Sequence, residues 1–267
     1  QSPEQFLGYK VGSRYTPHWK VVSYFQHVAT NAPKMVKLQQ YGQTNEGRPL
    51  MVAFISNEEN MGNLEAIRVN NLRLANLTKD RAAPNENAPA IVWMSYNVHG
   101  NETSSSEAAL LTVYAMVDPT NTKTKEWLNN TVVVIDPCIN PDGRDRYVNW
   151  FNSVVGTKAN PRMETREHRE PWPGGRSNHY NFDLNRDWLL LQHPESQARI
   201  AQFHKWQPNI VGDFHEMGTN SSYFFQPGIP SRNNPLTPDE NYQLTALLAG
   251  YHAKAFDEQG KLYYTEE

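Results

Sequence analysis

The chain has 267 residues, of which 38% are hydrophobic, and this is enough for one α/β domain with a continuous core. Its formal net charge is −3, with 25 basic and 28 acidic residues and no basic block, so nothing favours nucleic acid or an anionic membrane surface as a partner. The apolar runs are also too short to cross a bilayer, and we expect no membrane span.

Two features bear on the environment of the protein. The single cysteine, Cys138, excludes an internal disulfide, and its position after an apolar run predicts a small core side chain. The chain begins with Gln1-Ser2-Pro3-Glu4 and shows no apolar signal segment. We therefore expect the mature product of signal-peptide cleavage, secreted or periplasmic, with an expression fragment as the alternative.

Hydrophobic periodicity predicts alternating helices and strands. In chain order we expect a helix over residues 17–30, strands over 35–40 and 50–56, a helix over 64–77, a strand over 90–95, a helix over 103–117, a strand over 131–135, a helix over 193–206, a strand over 209–214 and a helix over 236–259. In the third of these helices we place Ala108, Leu111 and Ala115 on the inner face. Residues 149–179, polar and rich in glycine and proline, predict a long functional loop.

This order of elements is typical of an α/β fold, and we predict a mixed sheet, parallel and antiparallel, flanked by helices. The runs over residues 90–95 and 131–135 are continuously apolar, which predicts central strands buried on both faces. No internal repeat or linker interrupts the pattern, so we interpret residues 1–267 as a single domain.

Two histidines and a glutamate follow two of the predicted strands. His99 and Glu102 come just after the strand over 90–95, and His215 just after the strand over 209–214. Binding crevices of open α/β sheets form at such strand ends. Two histidines and one carboxylate are a ligand set of catalytic zinc, which keeps a fourth position for water or substrate. The sequence therefore predicts one zinc ion at these three residues, and a hydrolase.

Polar residues further along the chain fit the surroundings of such a site. Asp183 is suited to accept a hydrogen bond from a ligating imidazole, which fixes the tautomer of the ring. Asn185 and Arg186 offer an amide and a guanidinium fork, which match a substrate carboxylate. The segment Asn140-Pro141-Asp142-Gly143 predicts a tight turn after the strand over 131–135.

In combination and order, these motifs resemble those of a known family. The segments are His99-Gly100-Asn101-Glu102, Asn140-Pro141-Asp142-Gly143, Asp183-Leu184-Asn185-Arg186-Asp187-Trp188 and His215, with Glu46-Gly47-Arg48-Pro49-Leu50 upstream. Together they are similar to the zinc carboxypeptidases of the carboxypeptidase A type, the M14 peptidases. The resemblance covers about residues 17–225, and its specificity lies in the combination, since each motif alone is modest.

The resemblance implies a fold, a set of roles and a reaction. The fold is a mixed eight-stranded sheet flanked by helices, and the chain would be a carboxypeptidase-like catalytic domain. His99, Glu102 and His215 would hold zinc, with Asp183 orienting His99. Asn185 and Arg186 would grip the C-terminal carboxylate of a peptide or protein substrate. The implied reaction is metal-assisted hydrolysis of the C-terminal peptide bond, with a glutamate as general base and an arginine at the oxyanion.

The chain departs from the family pattern at the catalytic groups. In the family the general base lies several tens of residues beyond the third zinc ligand, so we expect it beyond Glu267 and interpret the chain as a piece of a longer enzyme, inactive by itself. Glu266 and Glu267 lack the apolar strand context of that base. Glu216 adjoins a ligand, but neighbours on a strand point to opposite faces, which favours a structural role. The oxyanion arginine stays open among Arg144, Arg146, Arg162, Arg166 and Arg169.

Two other functions remain open from the sequence. A zinc amidohydrolase acting on N-acyl amino acids shares the ligand pattern, and Asn185 and Arg186 also suit its substrates; the long loop over residues 149–179 favours peptides. A non-catalytic relative that binds zinc or peptides would lack a general base in its longer chain. Zinc metallocarboxypeptidase is the leading interpretation.

Overall fold

The computed structural model describes residues 1–79, 82–158, 160–218, 221, 223–225 and 228–264. The chain divides into two compact units, residues 1–215 and residues 216–267. The first unit contains every residue of the predicted metal site. The single domain over residues 1–267 stays a prediction.

Nearly all predicted helices and strands of the first unit are present, within a few residues of their expected bounds. In chain order the elements are α1 (Pro3–Leu7), α2 (His18–Asn31), β1 (Val36–Gln43), β2 (Pro49–Ile55), α3 (Glu58–Gly62), α4 (Leu64–Leu74), β3 (Ala90–Tyr96), α5 (Ser104–Val117), α6 (Thr122–Trp127), β4 (Thr131–Asp136), α7 (Pro141–Val154), α8 (Pro194–Trp206) and β5 (Ile210–Phe214). Short 3-10 helices lie at Arg166–His168 and Leu184–Arg186.

The strands of this unit form one mixed sheet in the order β1-β2-β4-β3-β5. Strand β2 is antiparallel to β1 and to β4, whereas β3 is parallel to both β4 and β5. The predicted fold class is therefore confirmed, with five strands in the described part of this unit where the resemblance implies eight. Because β3, β4 and β5 are parallel, the segments that follow them leave the sheet at the same edge.

The sheet is covered on both faces, as the continuously apolar central strands predict. On one face Ile55 and Val133 belong to a buried layer formed with α1, α2 and α5. On the other, Phe54 and Val134 pack in a layer with α4 and with Trp206 of α8. Each fully buried large side chain stabilises the fold by about 1.5–3 kcal/mol, so the two layers hold the strand ends in fixed positions.

Two predictions about the helices were wrong. The buried residues of α5 include Ala109, Leu110 and Val113, whereas Ala108 and Leu111 are exposed and Ala115 is half-buried. Residues 108–113 are apolar nearly all round the helix, so the periodicity could not locate the inner face. Residues 149–154 belong to α7 and not to a loop. The Asn-Pro-Asp-Gly segment begins this helix: Asn140 is its N-cap and accepts a hydrogen bond from Gly143 N (3.0 Å).

The second unit contains one long helix and a small parallel sheet. Its elements are β6 (Tyr223–Phe224), a 3-10 helix at Pro230–Arg232, α9 (Asp239–Glu258) and β7 (Tyr263–Tyr264), and β6 pairs with β7. The predicted helix over residues 236–259 thus begins three residues late, directly after Pro238, which is its N-cap. Within the described ranges, no helix combines the length and the apolarity that a membrane crossing needs.

A fully buried ion pair joins three segments of the first unit. The Arg144 guanidinium, with no exposed side-chain surface, donates to Glu107 Oε1 (2.8 Å) and to the carbonyl oxygens of Thr16 and Thr103. Its NH1 also donates to Asn97 Oδ1 (3.1 Å), at the end of β3. Burial of a charge is compensated only when the charge is paired and its remaining donors are bonded, and both conditions hold here.

Removing the guanidinium should therefore be costly. We expect Arg144→Met to lower the free energy of unfolding by about 3–5 kcal/mol, because it leaves the Glu107 carboxylate buried without its partner. Urea unfolding followed by circular dichroism measures the change. Arg162→Met, at an exposed arginine, is the control and should stay within about 0.5 kcal/mol of the unsubstituted chain. A loss below about 1 kcal/mol for Arg144→Met would show that the pair contributes little.

Candidate metal centre

The turn that carries the first two predicted ligands is held by the side chain of Asn97. This fully buried residue follows β3 in the left-handed backbone region, with φ of 63°. Its Nδ2 donates to the carbonyl oxygens of His99 (2.6 Å) and Glu102 (2.9 Å). Its Oδ1 accepts from Arg144, so the turn is bound to the buried ion pair. A left-handed asparagine at a strand end lets the chain bend sharply and still satisfy its backbone.

The structure brings the three predicted ligands together. His99 Nδ1 lies 2.8 Å from Glu102 Oε1, and His215 Nδ1 lies 3.1 Å from Glu102 Oε2. One ligand atom from each residue lies within 4.8 Å of the other two. His99 is buried, and the side chains of Glu102 and His215 are 14% and 33% exposed, so the cluster opens to solvent on the His215 side.

The outer nitrogen of each imidazole contacts a carboxylate. His99 Nε2 lies 3.0 Å from Asp183 Oδ1, which is the contact that the sequence predicts. His215 Nε2 lies 3.1 Å from Asp213 Oδ2, a contact that we did not predict. Residues two apart on a strand point to the same side, so the Asp-x-His spacing was the available signal.

These contacts shift two pKa values. Hydrogen bonds to Asp213 and then to Glu102 raise the pKa of His215 to about 10, against the opposing effect of burial. For Asp183, burial raises the pKa, but the hydrogen bond from Asn185 N and the charges of His99 and Arg176 outweigh it and lower the value. Asp183 is therefore an ionised acceptor beside His99 at neutral pH.

Of the predicted carboxylate-binding pair, Asn185 lies next to the cluster. Asp183 caps the 3-10 helix Leu184–Arg186 by accepting from Asn185 N (2.9 Å). Asn185 Nδ2 lies 3.5 Å from His215 Nε2, and Asn185 Oδ1 accepts from Trp188 Nε1 (3.0 Å), which sets the direction of the amide. The Arg186 side chain is exposed and donates to the carbonyl oxygen of Asn185.

An arginine outside our predicted set lies at the cluster. Arg176 donates to Asp183 Oδ2 through Nε (3.2 Å) and NH2 (3.0 Å), and its NH1 lies 3.7 Å from Glu102 Oε1. Its side chain is 47% exposed, so it lines the open side of the site. It belongs to the long polar loop, where no local pattern distinguished it from its neighbours.

The five arginines that we considered have other surroundings. Arg144 is buried in the ion pair with Glu107 and is not available to a substrate. Arg146 donates to the carbonyl oxygens of Gly174 (2.9 Å) and Asn178 (3.1 Å), and thereby holds the loop that carries Arg176. The other three, Arg162, Arg166 and Arg169, are exposed.

Three glycines allow the loop of Arg176 to approach the ligand turn. A Cβ built on Gly100 would come under 3.0 Å from Gly143 C, Arg144 N and Gly175 O, and one on Gly143 would meet Gly175 O and Ser177 O equally closely. A Cβ on Gly175 would meet Gly143 O and the Tyr147 side chain. The ligand turn, the start of α7 and the loop thus touch backbone to backbone.

A second group of potential ligands is better explained as a salt-bridge network. Ligand atoms of Glu46, Asp142 and His179 lie within 4.8 Å of one another. The Arg48 guanidinium donates to Glu46 and to Asp142 Oδ1 (2.8 Å), and through Nε to Asp145 Oδ2 (2.9 Å). Its positive charge is shared among these three carboxylates, so the group fastens the turn between β1 and β2 to α7.

The donor set at His99, Glu102 and His215 fits zinc. It offers two imidazole nitrogens and one carboxylate, each imidazole has a carboxylate on its outer nitrogen, and the cluster is open on one side. No thiolate competes, because Cys138 is buried and burial raises the pKa of its thiol to about 12. Two glutamates weighed as general base, Glu266 and Glu267, lie outside the described residues, and Glu216 lies in the second unit.

Comparison with known proteins identifies relatives of this chain. Residues 21–216 match the zinc carboxypeptidase family, Peptidase_M14. Carboxypeptidase E of Caenorhabditis elegans is 27% identical in an alignment of 197 residues that covers 68% of this chain and 33% of that protein.

Solved structures agree in fold. Carboxypeptidase A from Helicoverpa armigera has a TM-score of 0.64 at 17% identity over 98% of this chain and 62% of its own. Thrombin activatable fibrinolysis inhibitor has a TM-score of 0.64 at 14% identity, over 99% of this chain and 60% of its own. A metallo-carboxypeptidase from Burkholderia cenocepacia has a TM-score of 0.61 at 16% identity, over 95% of this chain and 53% of its own. These likenesses show a carboxypeptidase-like fold, and this chain spans less than two thirds of each of these relatives.

The glycine contacts make a testable prediction. Gly100→Ala should destabilise the chain by about 1–3 kcal/mol or more, because the new Cβ meets backbone atoms that cannot turn aside. Thermal and urea unfolding measure the change. Gly250→Ala, in α9, is the matched control: no atom lies within 4 Å of its added Cβ, and the substitution should stabilise by about 0.5–1 kcal/mol. Equal stability of the two variants would show that the backbone contact is not tight.

Proposed function

Because the chain belongs to the zinc carboxypeptidase family, we propose that it is the metal-binding and carboxylate-binding part of an enzyme that removes C-terminal residues from peptides. The observation that carries the proposal is the convergence of His99, Glu102 and His215, with an arginine and an asparagine alongside. Export from the cytoplasm stays a prediction.

The ligand residues have defined tasks in this proposal. His99 and His215 would hold the metal through Nδ1, which in each ring faces the Glu102 carboxylate, and Glu102 would be the third ligand. When bound there, zinc supplies a Lewis acid that polarises the scissile carbonyl and makes water a better nucleophile. Asp183 holds the proton on His99 Nε2, which keeps the Nδ1 lone pair directed at the metal.

Substrate binding and charge stabilisation fall to the residues on the open side. Asn185 and the exposed Arg186 donate N–H groups to the terminal carboxylate of the peptide, where charged hydrogen bonds are the strongest available. Arg176, fixed by Asp183, lies beside Glu102 and donates to the carbonyl oxygen of the scissile bond as its negative charge develops. The general base is still expected to lie beyond Glu267.

Zinc binding is the first test. We expect one zinc per chain, measured by elemental analysis after dialysis, and its loss in His99→Ala and in His215→Ala, since two protein ligands hold the metal weakly. His204→Ala, at an exposed histidine of α8, is the control and should keep full occupancy. A fully occupied zinc site in both ligand variants would refute the proposed site.

Carboxylate recognition is the second test. The zinc-loaded chain should bind a short peptide at least about tenfold more tightly than the same peptide with a C-terminal amide, because one charged contact contributes about 1.5–3 kcal/mol. Calorimetric titration measures both affinities. Arg186→Ala should abolish the preference, and Arg162→Ala, which removes the same charge at an exposed position, should keep it.

The same titration separates the two enzyme interpretations. An N-acyl amino acid bound as tightly as a peptide of several residues would favour the amidohydrolase. If Arg186→Ala kept the preference for a free C-terminal carboxylate over a C-terminal amide, the carboxylate would be bound by other residues.

A further inference from the structure

Resting on the metal site proposed above, we propose that Asp213 is a positioning residue that holds His215 in the orientation and tautomer required for binding zinc. It would act on His215 as Asp183 acts on His99. Each of the two histidine ligands would then donate a hydrogen bond to a carboxylate. Asp183 lies in a loop, and Asp213 lies in β5, two residues before His215.

Strand geometry places Asp213 on the correct side of His215. The two residues are two positions apart at the end of β5, so their side chains point to the same side of the strand. The register of β5 is fixed by parallel pairing with β3, in which Ser95 is opposite Asp213 and Tyr96 is opposite Phe214. The rings of Tyr96 and Phe214 stack at 4.4 Å with an interplanar angle of 7°, which anchors the strand between the two polar residues.

The hydrogen-bond partners of His215 determine its tautomer. Its Nε2 lies 3.1 Å from Asp213 Oδ2 and 3.5 Å from Asn185 Nδ2. A carboxylate only accepts and an amide nitrogen only donates, so a single ring nitrogen cannot satisfy both. The shorter contact is to the carboxylate, and Asn185 Oδ1 is already bonded to Trp188 Nε1. Nε2 therefore carries a proton whether or not Nδ1 is also protonated, and Nδ1 is the nitrogen that faces Glu102.

Removing the Asp213 carboxylate would favour the opposite arrangement. The amide of Asn185 would then be the remaining polar neighbour of Nε2 and would donate to it, which places the ring proton on Nδ1, where the metal must bind. The His215 side chain is 33% exposed, so the ring would also be freer to rotate. The carboxylate at position 213 thus keeps Nδ1 available and leaves the Asn185 amide free for the substrate.

A buried cation lies near Asp213. The Arg199 guanidinium of α8 is 1% exposed, and its charge interacts favourably with Asp136 and Asp213. It also stacks on Trp188, with the guanidinium carbon 3.6 Å from the ring centroid. Arg199 thereby interacts with two neighbours of His215. It interacts with Asp213 through its charge, and with Asn185 through Trp188, which donates a hydrogen bond to Asn185.

Zinc affinity tests the proposal without reference to turnover. The dissociation constant for zinc is measured on the metal-free chain by competition with a chromophoric chelator, for the unsubstituted chain, Asp213→Ala and Asp213→Asn. We expect Asp213→Ala to weaken binding about 10–100-fold, as loss of such a partner does at other zinc sites. Asp213→Asn should lie in between, because its amide oxygen still accepts from Nε2. Asp239→Asn, which removes an exposed charge, should bind as the unsubstituted chain does.

A spectroscopic measurement distinguishes positioning from a general effect on folding. Long-range proton–nitrogen spectra of the zinc-loaded protein should show the His215 proton on Nε2 in the unsubstituted chain and in Asp213→Asn. In Asp213→Ala this proton should exchange rapidly with solvent. The signal is assigned against Asp183→Ala, which perturbs His99 instead.

The outcomes separate this inference from the proposed function. If the unsubstituted chain binds no zinc, the proposed function fails. If it binds zinc and both Asp213 variants bind within twofold of it, the proposed role of Asp213 is overturned. If Asp213→Ala does not fold, Asp213→Asn decides: weaker binding with a retained Nε2 proton supports the role, and unchanged binding refutes it.

Discussion

The buried amide of Asn97 is the interaction on which the site depends. It stands where β3 ends, and its two polar atoms act in opposite directions: the nitrogen binds the ligand turn, and the oxygen binds the Arg144–Glu107 pair. The Arg144 guanidinium in turn reaches Thr16 before α2 and Thr103 before α5. The first two proposed metal ligands, His99 and Glu102, are therefore held in place by a polar network inside the core.

The other parts of the site are delivered to this fixed turn by separate means. Sheet pairing brings His215, because β5 lies directly beside β3. A side-chain bridge holds Arg176, since Asn140 Nδ2 donates to the carbonyl oxygens of both Val98 and Arg176 (3.2 Å each). Asp183 then joins the two halves, with one oxygen on His99 and the other on Arg176. A single carboxylate thus contacts both a proposed metal ligand and the exposed arginine beside it.

Sequence patterns predicted what is encoded locally. The central strands and the placing of His99 and Glu102 after β3 follow from apolar runs and spacing, whereas the contact of Asp183 with His99 was implied by the family resemblance. Helix α7 was missed for two reasons. An Asn-Pro-Asp-Gly segment suits a turn as well as an N-cap. The aromatic side of α7 also packs on Tyr15 and not in the sheet layers, with the centroid of the Tyr15 ring 4.8 Å from that of Phe151. Arg176 could not be found, because its position depends on how closely two loops approach. Asp213 had a signal in its spacing from His215, but only pairing of β5 with β3 places both beside Glu102.

The glycine contacts restrict how this site could change over evolutionary time. Side-chain contacts can be adjusted in small steps by exchanging one residue for a slightly larger or smaller one. Main-chain contacts among Gly100, Gly143 and Gly175 offer no such intermediate, since the smallest possible addition already collides with backbone. Diversification among descendants of this scaffold should therefore be confined to exposed residues outside the junction, such as Arg186 or Trp172, while the three-way junction is inherited intact or lost together with the fold around it.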